Sequence, residues 1–184
     1  SLAISGTCTV DVEPVATDNG AYTATLSIGD GAVTSNAAVL NGTASGFAPS
    51  LAITPDPSNN MDVTGGSSPG TTVTFTVTNN GSLASANLNA AALGGTNPSN
   101  FNIVTDNCSG NSLAISGTCT VDVEPIATDN GAYTATLSIG DGAVTSNAAV
   151  LNGTASGFAP SLAITPDPSN KMYVTGGSSP GTTV

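Results

Sequence analysis

Three cysteines and one pair of carboxylates are the residues of this sequence whose types and spacing could support chemistry. Cys8 and Cys119 each open a copy of the run CTVDVEP, and Cys108 precedes Cys119 by eleven positions. Asp122 and Glu124 lie two residues apart in the second copy, on one face of a predicted strand. Paired carboxylates are the acid and base of glycosidases, whereas cysteines form disulfides, bind metals or act as nucleophiles.

The carboxylate pair lacks the surroundings that acid catalysis requires. A general acid needs a desolvating pocket that raises its pKa, and Asp122 and Glu124 are flanked by Thr120 and by no bulky side chain. The chain contains no histidine, which argues against Ser-His and Cys-His nucleophiles and against zinc sites. We therefore predict that the chain is not an enzyme and holds no cofactor.

Calcium is the one metal for which the sequence offers candidate ligands. Asp129, Asp141 and Asp167 lie in predicted turns, where hard oxygen ligands could converge. Calcium takes six to eight oxygens, and the sequence has no D-x-[DN]-x-[DN]-G run. Aspartates in turns commonly bind their own backbone instead, so no metal is expected and calcium is kept as an alternative.

The elements that position these residues are repeated along the chain. Residues 1–73 align with residues 112–184 after a shift of 111, with the three mismatches Val15/Ile126, Asn60/Lys171 and Asp62/Tyr173. A period of this length is the size of a small domain. The small residues, Phe and Pro of residues 42–57 and 153–168 favour a linker there. We therefore predict one complete unit at residues 48–158, the C-terminal part of a unit at 1–47, and the N-terminal part of another at 159–184.

This division explains the odd number of cysteines. The complete unit contains Cys108 and Cys119, whereas Cys8 corresponds to Cys119 and the counterpart of Cys108 would lie before Ser1. An even pair at hairpin spacing predicts a disulfide and an oxidising compartment. The alternative is two buried thiols. Cys8 is expected to have its partner outside the chain.

The charge and hydropathy of the chain limit the kinds of partner that it can bind. The chain has one Lys or Arg and twelve Asp or Glu, which give a net charge of −11. This balance argues against nucleic acid and anionic membrane surfaces, because almost no cation is present to replace phosphate counterions. No apolar run approaches the ~20 residues of a membrane helix. We predict an extracellular or cell-surface location and no membrane insertion by this segment.

Apolar residues recur with a period of two, which is a strand pattern. The runs TVTFTVT, CTVDVEP and YTATLSI alternate in this way, and Asn-Gly and Gly-Asp-Gly turns separate them. The predicted strands lie near residues 50–54, 60–64, 71–78, 85–93, 101–105, 119–124, 132–139 and 144–152. The predicted fold is all-β, an immunoglobulin-like antiparallel β-sandwich in tandem repeats of 111 residues.

The run FNIVTDNCSGNSLAISGTCTVDVEP, followed by GAYTATLSI and LNGTA, resembles the choice-of-anchor D type repeats of bacterial surface proteins, relatives of the ASH and Hydin immunoglobulin-like domains. The resemblance rests on residues spread over most of the unit: Phe101, Ile103, Cys108, Leu113, Gly117, Cys119, Val121, Val123, Gly131, Leu137 and the closing Leu151 to Thr154. It implies secreted or surface-anchored tandem modules without a catalytic site.

The predicted function is therefore structural, as a stalk, filament or adhesin whose partners are neighbouring repeats or identical chains. Pro49 and Pro160 stiffen the junctions, and Phe47 and Phe158 are expected to pack between successive units. One alternative is a glycan-binding or protein-binding adhesion module that uses the avidity of repeats. A second alternative is a subunit that polymerises by strand complementation.

Overall fold

The computed structural model describes residues 2–160. Alternating Thr and Val suit a half-buried pleated surface, and the described chain is accordingly nearly all β, with one short 3-10 turn at Pro98–Asn100. Nine strands are formed: β1 Gly20–Leu26, β2 Ala38–Ala44, β3 Leu51–Thr54, β4 Val73–Asn79, β5 Ala92–Gly94, β6 Phe101–Asp106, β7 Thr118–Pro125, β8 Gly131–Ser138 and β9 Ala149–Ala155. Within residues 2–160 no helix has the length and apolar character needed to cross a bilayer.

The strands form three antiparallel sheets. One has the order β3-β4-β7-β6, a second has the order β5-β8-β9, and β1 and β2 form a separate two-stranded hairpin. The first two sheets share one core, because the alternating residues of their strands point towards each other. Phe75 and Val77 of β4 and Val121 of β7 contribute from one sheet, and Leu137 and Leu151 from the other. This arrangement fits a β-sandwich.

A segment outside the named strands extends the second sheet. Residues 58–66 run parallel to β9, with bridges between Ser58 and Leu151 and between Val63 and Ala155. The strand predicted at 60–64 is therefore an irregular edge segment. Its side chains still reach the core, since Met61 and Val63 are buried.

Two other predicted strands are shorter than expected. Over residues 85–93 only the end is a strand, because the backbone N–H groups of Ser85, Leu88 and Asn89 donate to the separate partners Leu113, Asn111 and Gly140. The strand predicted at 144–152 begins at Ala149. Before it, the Asn147 side chain accepts from the N–H of Ile53 and donates to its carbonyl, at 2.7 and 3.2 Å.

The two copies of CTVDVEP differ in structure. Thr118–Pro125 is a central strand between β4 and β6, whereas residues 7–14 form no strand and are exposed. The same sequence has different structures because β4 and β6 have no counterparts in residues 2–47. In contrast, β1–β2 and β8–β9 share one register: Gly20 pairs with Ala44 as Gly131 pairs with Ala155.

Candidate functional site

The predicted disulfide is confirmed. Cys108 and Cys119 are bonded, with their Cα atoms 5.2 Å apart, and Cys108 is fully buried. The bond closes the loop between β6 and β7. Asp106 holds the first turn of that loop, because its Oδ1 accepts from the N–H groups of Cys108 and Ser109 at 2.9 and 3.0 Å. Cys8 is exposed and forms no bond within the described residues.

The paired carboxylates lie on a polar outer face of the four-stranded sheet. Asp122 accepts a hydrogen bond of 2.7 Å from the hydroxyl of Thr74 on β4. Glu124 accepts one of 3.0 Å from the amide of Asn102 on β6. Each carboxylate therefore joins β7 to a neighbouring strand, and both are only half-buried.

The aspartates considered for calcium bind other groups instead. Asp129 accepts from the hydroxyl of Tyr133, which raises the pKa of that phenol. The N–H of Val144 is the main cause that lowers the pKa of Asp141, and the N–H groups of Ala143 and Ala86 add to it. No group of three or more acidic, Cys or His residues is placed to hold a metal in residues 2–160, and Asp167 lies outside that range.

Phe47 and Phe158 are each held by an asparagine that precedes them by 28 residues. The side chain of Asn130 donates to the carbonyl of Phe158 at 2.8 Å and accepts from its N–H at 3.0 Å. Asn19 makes the same two bonds with Phe47, at 2.7 and 3.0 Å. An amide that satisfies both groups of one residue fixes the path of the chain at the end of the hairpin.

The ring of Phe158 contacts residues that precede it in the range 48–158. It packs on a small second core made of Val63, Ala127 and Ala155, beside Tyr133. Phe47 and Pro49 are half-buried and Pro160 is exposed. That these four residues pack between successive units stays a prediction.

The residues that follow Phe47 are bound to the turn after β4. Ala48 donates to the Ser82 hydroxyl at 3.1 Å and accepts from the Ser82 N–H at 2.9 Å. Gly81 lies against the same stretch, since a Cβ there would be 2.3 Å from the Ala48 carbonyl oxygen and 2.5 Å from the Ser50 nitrogen. Only glycine permits this approach of two backbones. The chain thus passes from one anchored residue, Phe47, directly to another, Ala48.

Asn79 organises the turn to which this junction binds. It is fully buried at the end of β4, and its Oδ1 accepts from Ser50 and Gly81. Its Nδ2 donates to the carbonyls of Leu83 and Leu113. The sequence identified only the Asn80-Gly81 turn and missed Asn79. The signal was present, however, because Asn79 continues the alternation of apolar Phe75 and Val77 with a polar residue at an inward position.

Two surface depressions, of ≈ 380 and ≈ 390 Å³, both include Tyr133. Asn59, Asp62 and Thr154 line the first, and Asp62 accepts there from the N–H and hydroxyl of Thr154 at 2.7 and 2.8 Å. These groups therefore connect residues 58–66 to β9.

Comparison with known proteins identifies no family. No protein-family model matches the chain, and no curated protein matches it. Among solved structures, the Vibrio cholerae VesB protease is 22% identical, with a TM-score of 0.37 over 57% of this chain and 31% of that protein. The chain thus spans less than a third of the VesB chain, and a similarity at this level supports no inference about fold or activity.

Proposed function

We propose that this chain belongs to a non-enzymatic structural protein outside the cell, in which immunoglobulin-like units of 111 residues follow one another as a rod-like spacer. The observation that carries the proposal is the junction. Phe47 is bound by Asn19 of one unit and Ala48 by Ser82 of the next, so a single peptide bond separates the two anchors. Linkers give flexible strings only when several residues are free to rotate.

Two further features support this role. The Cys108–Cys119 bond suits a protein that works in an oxidising compartment. The net charge of −11 keeps parallel rods soluble and apart by mutual repulsion. The resemblance to choice-of-anchor D repeats agrees with a surface location and with a module that has no catalytic site.

Small-angle X-ray scattering of proteins with one, two and three consecutive copies of residues 48–158 tests the rod. In these proteins Phe158 joins directly to Ala48 of the next copy, as Phe47 does in this chain. The maximum dimension is expected to grow in proportion to the number of copies, at a constant cross-section. A maximum dimension that grows with the square root of copy number, as in a flexible chain, would contradict the proposal.

A matched pair of variants assigns the stiffness to the junction. Asn130→Ala removes both bonds to Phe158 and is expected to shorten and broaden the distance distribution. Asn111→Ala removes an amide that bonds the Asn107 carbonyl, away from the junction, and should leave the distribution unchanged. Equal profiles for the two variants would show that the Asn130 bonds do not hold the rod straight.

A further inference from the structure

Asn130 is followed by Gly131, and an asparagine before a glycine is prone to lose its side-chain amide. The backbone nitrogen of the glycine attacks Cγ of the asparagine, because no Cβ shields that nitrogen or restricts the rotations that ring closure needs. The new C–N bond replaces the bond from Cγ to Nδ2, ammonia leaves, and a five-membered succinimide forms. Water then opens the ring at one of its two carbonyl carbons, which leaves aspartate or isoaspartate.

Residues 48–158 contain three such steps: Asn80-Gly81, Asn130-Gly131 and Asn152-Gly153. Two of them are held inside the fold. The N–H of Gly81 donates to Asn79 Oδ1 at 3.0 Å, and Gly81 is packed against the backbone of residues 48–50. Asn152 lies within β9, where the Met61 carbonyl covers the glycine that follows it. Neither of these steps can close a ring while the turn after β4 and the contact between residues 58–66 and β9 are intact.

The third step lies at the end of the β8–β9 hairpin. Asn130 and Gly131 are both exposed, and a Cβ on Gly131 would meet the Tyr133 phenol at ordinary contact distances of 3.7 and 3.8 Å. Gly131 is the first residue of β8 and pairs with Ala155, the last residue of β9. Ring closure at this step therefore requires only the end of the hairpin to open, which costs less free energy than the opening of a sheet.

The bonds between Asn130 and Phe158 control the reaction at this step. Cγ of Asn130 must turn towards the Gly131 nitrogen, but Nδ2 and Oδ1 are bonded to the carbonyl and N–H of Phe158, at 2.8 and 3.0 Å. The ring of Phe158 packs on the small second core and stabilises the same arrangement. The amide can react only in molecules from which Phe158 has detached. The observed rate is therefore the rate in an open chain multiplied by the detached fraction.

The reaction also prevents Phe158 from binding again as before. An amide donates to the Phe158 carbonyl and accepts from its N–H, whereas a carboxylate only accepts. The product therefore keeps at most one of the two bonds, and it places a negative charge against the Phe158 carbonyl oxygen. Isoaspartate in addition lengthens the backbone just before β8, which displaces the side chain from its partner.

We propose that Asn130 is a site of spontaneous deamidation that Phe158 controls. The amide is protected while Phe158 is bound, and its loss fixes the detached state of the chain after β9. The reaction consumes only water and releases ammonia. It requires no neighbouring unit, so it is independent of the rod proposed above.

Incubation of the 184-residue chain at mildly alkaline pH, followed by peptic digestion and mass spectrometry, is the test. All proteins carry Cys8→Ser, because an exposed thiol exchanges with disulfides at this pH. Peptides that include Ile126 report on Asn130 alone, and the sequence around Asn80 occurs once in the chain. In the folded chain Asn130 should convert about tenfold faster than Asn80 or more, whereas in urea the two rates should be similar.

Substitutions on both sides of the contact test the role of Phe158. Phe158→Ala removes the ring but leaves Asn130 and Gly131 unchanged, so conversion of Asn130 should accelerate about fivefold or more. Ile115→Ala shortens an exposed apolar side chain in the loop between β6 and β7 and is the matched control, with the rate of the parent. Gly131→Ala adds a Cβ beside the reacting nitrogen and should suppress conversion both in the folded chain and in urea.

Hydrogen exchange tests whether the product stays detached. Asn130→Asp introduces the carboxylate directly and should accelerate exchange over residues 155–158. Asn111→Asp makes the same change of charge at an amide that bonds the Asn107 carbonyl, and exchange over residues 155–158 should then match the parent.

Three results would overturn the proposal. If Asn130 converts no faster than Asn80 in the folded chain, the end of the hairpin does not open more readily than the turn after β4. If Phe158→Ala leaves the rate unchanged, Phe158 does not protect the amide. If Asn130→Asp exchanges like Asn111→Asp, the product does not stay detached. Circular dichroism checks the fold of each variant, and Phe158→Leu replaces Phe158→Ala if the latter loses its β signal.

Discussion

At the residue scale, Gly42 and Gly153 are equivalent in sequence but differ in what lies above them. Gly153→Ala is expected to lower the free energy of unfolding by about 1 to 3 kcal/mol, because the methyl group would displace the Met61 carbonyl and the segment that carries it. Gly42→Ala, where nothing is in contact, should change stability by less than about 0.5 kcal/mol. Urea denaturation of the two variants measures the difference, and equal effects would show that residues 58–66 do not rest on β9.

Asp141 makes the stability of residues 48–158 depend on pH. Backbone N–H donors hold its pKa below the ordinary value, so its contribution to stability is present above the unfolded pKa of about 3.9 and is lost as pH falls through the lower folded pKa. We expect Asp141→Asn to be less stable at neutral pH and to lose less stability on acidification. Denaturant midpoints between about pH 6 and pH 2 measure this.

Asp30 is the matched control for that experiment. Its carboxylate accepts from the N–H groups of Ala32 and Val33, as Asp141 accepts from Ala143 and Val144, and its pKa is also lowered. It makes no bond equivalent to that between Asp141 and Ala86. Because Asp30 lies outside residues 48–158, Asp30→Asn should leave the unfolding of those residues unchanged at every pH. A shift as large as that of Asp141→Asn would mean that the pH effect does not arise from the turn and the Ala86 bond of Asp141.

Residue roles were predictable where the partners lie in one short stretch of sequence. The cysteine pair met that condition, because Cys108 and Cys119 lie in one loop and their number is even. Asn79 did not, since its partners Ser50, Leu83 and Leu113 come from three separate stretches of chain. The spacing of nearby residues cannot predict the role of a buried amide whose hydrogen-bond partners lie in distant loops.

At the element scale, the two copies of CTVDVEP form a comparison within one molecule. Hydrogen exchange should be slow in Cys119–Pro125, which is paired on both sides, and fast in Cys8–Pro14. Peptides that extend to Val15 or Ile126 differ by one methylene group, so mass spectrometry can tell the copies apart. Equal protection of both copies would mean that residues 7–14 have a strand partner after all.

The same comparison shows why strands were only partly predictable. Alternation identified β4, β7 and β8, whose faces differ in burial. Alternation did not identify the structure of residues 85–93, where the backbone is bonded to three different loops. In the first CTVDVEP the alternating pattern is present, but no strand forms because residues 2–47 contain no neighbouring strands for it. A strand needs partners as well as a pattern, and only the pattern is local.

At the scale of the whole molecule, the path of the chain from Phe47 to Ser50 determines how the β1–β2 hairpin is joined to residues 48–158. It is fixed by Asn19 on one side and by Ser82 and Asn79 on the other. The linker expected at residues 42–57 is therefore mostly structured, since β2 continues to Ala44 and β3 begins at Leu51. The composition of residues 42–57 did not predict this structure, because small residues allow close contact between backbones as well as free rotation of the chain.

The parallel contact between residues 58–66 and β9 also determines how residues 48–158 would respond to a stretching force. A pull on Ala48 draws residues 58–66 backwards along their own direction, whereas a pull on Phe158 draws β9 forwards. Because the two run parallel, the force lies along them, and their backbone bonds, from Ser58 to Gly66, are loaded together in shear. Bonds loaded together share the force, whereas bonds opened from one end break in turn. The Cys108–Cys119 bond also limits how far the chain can extend, because the loop that it closes cannot lengthen even after the sheets separate.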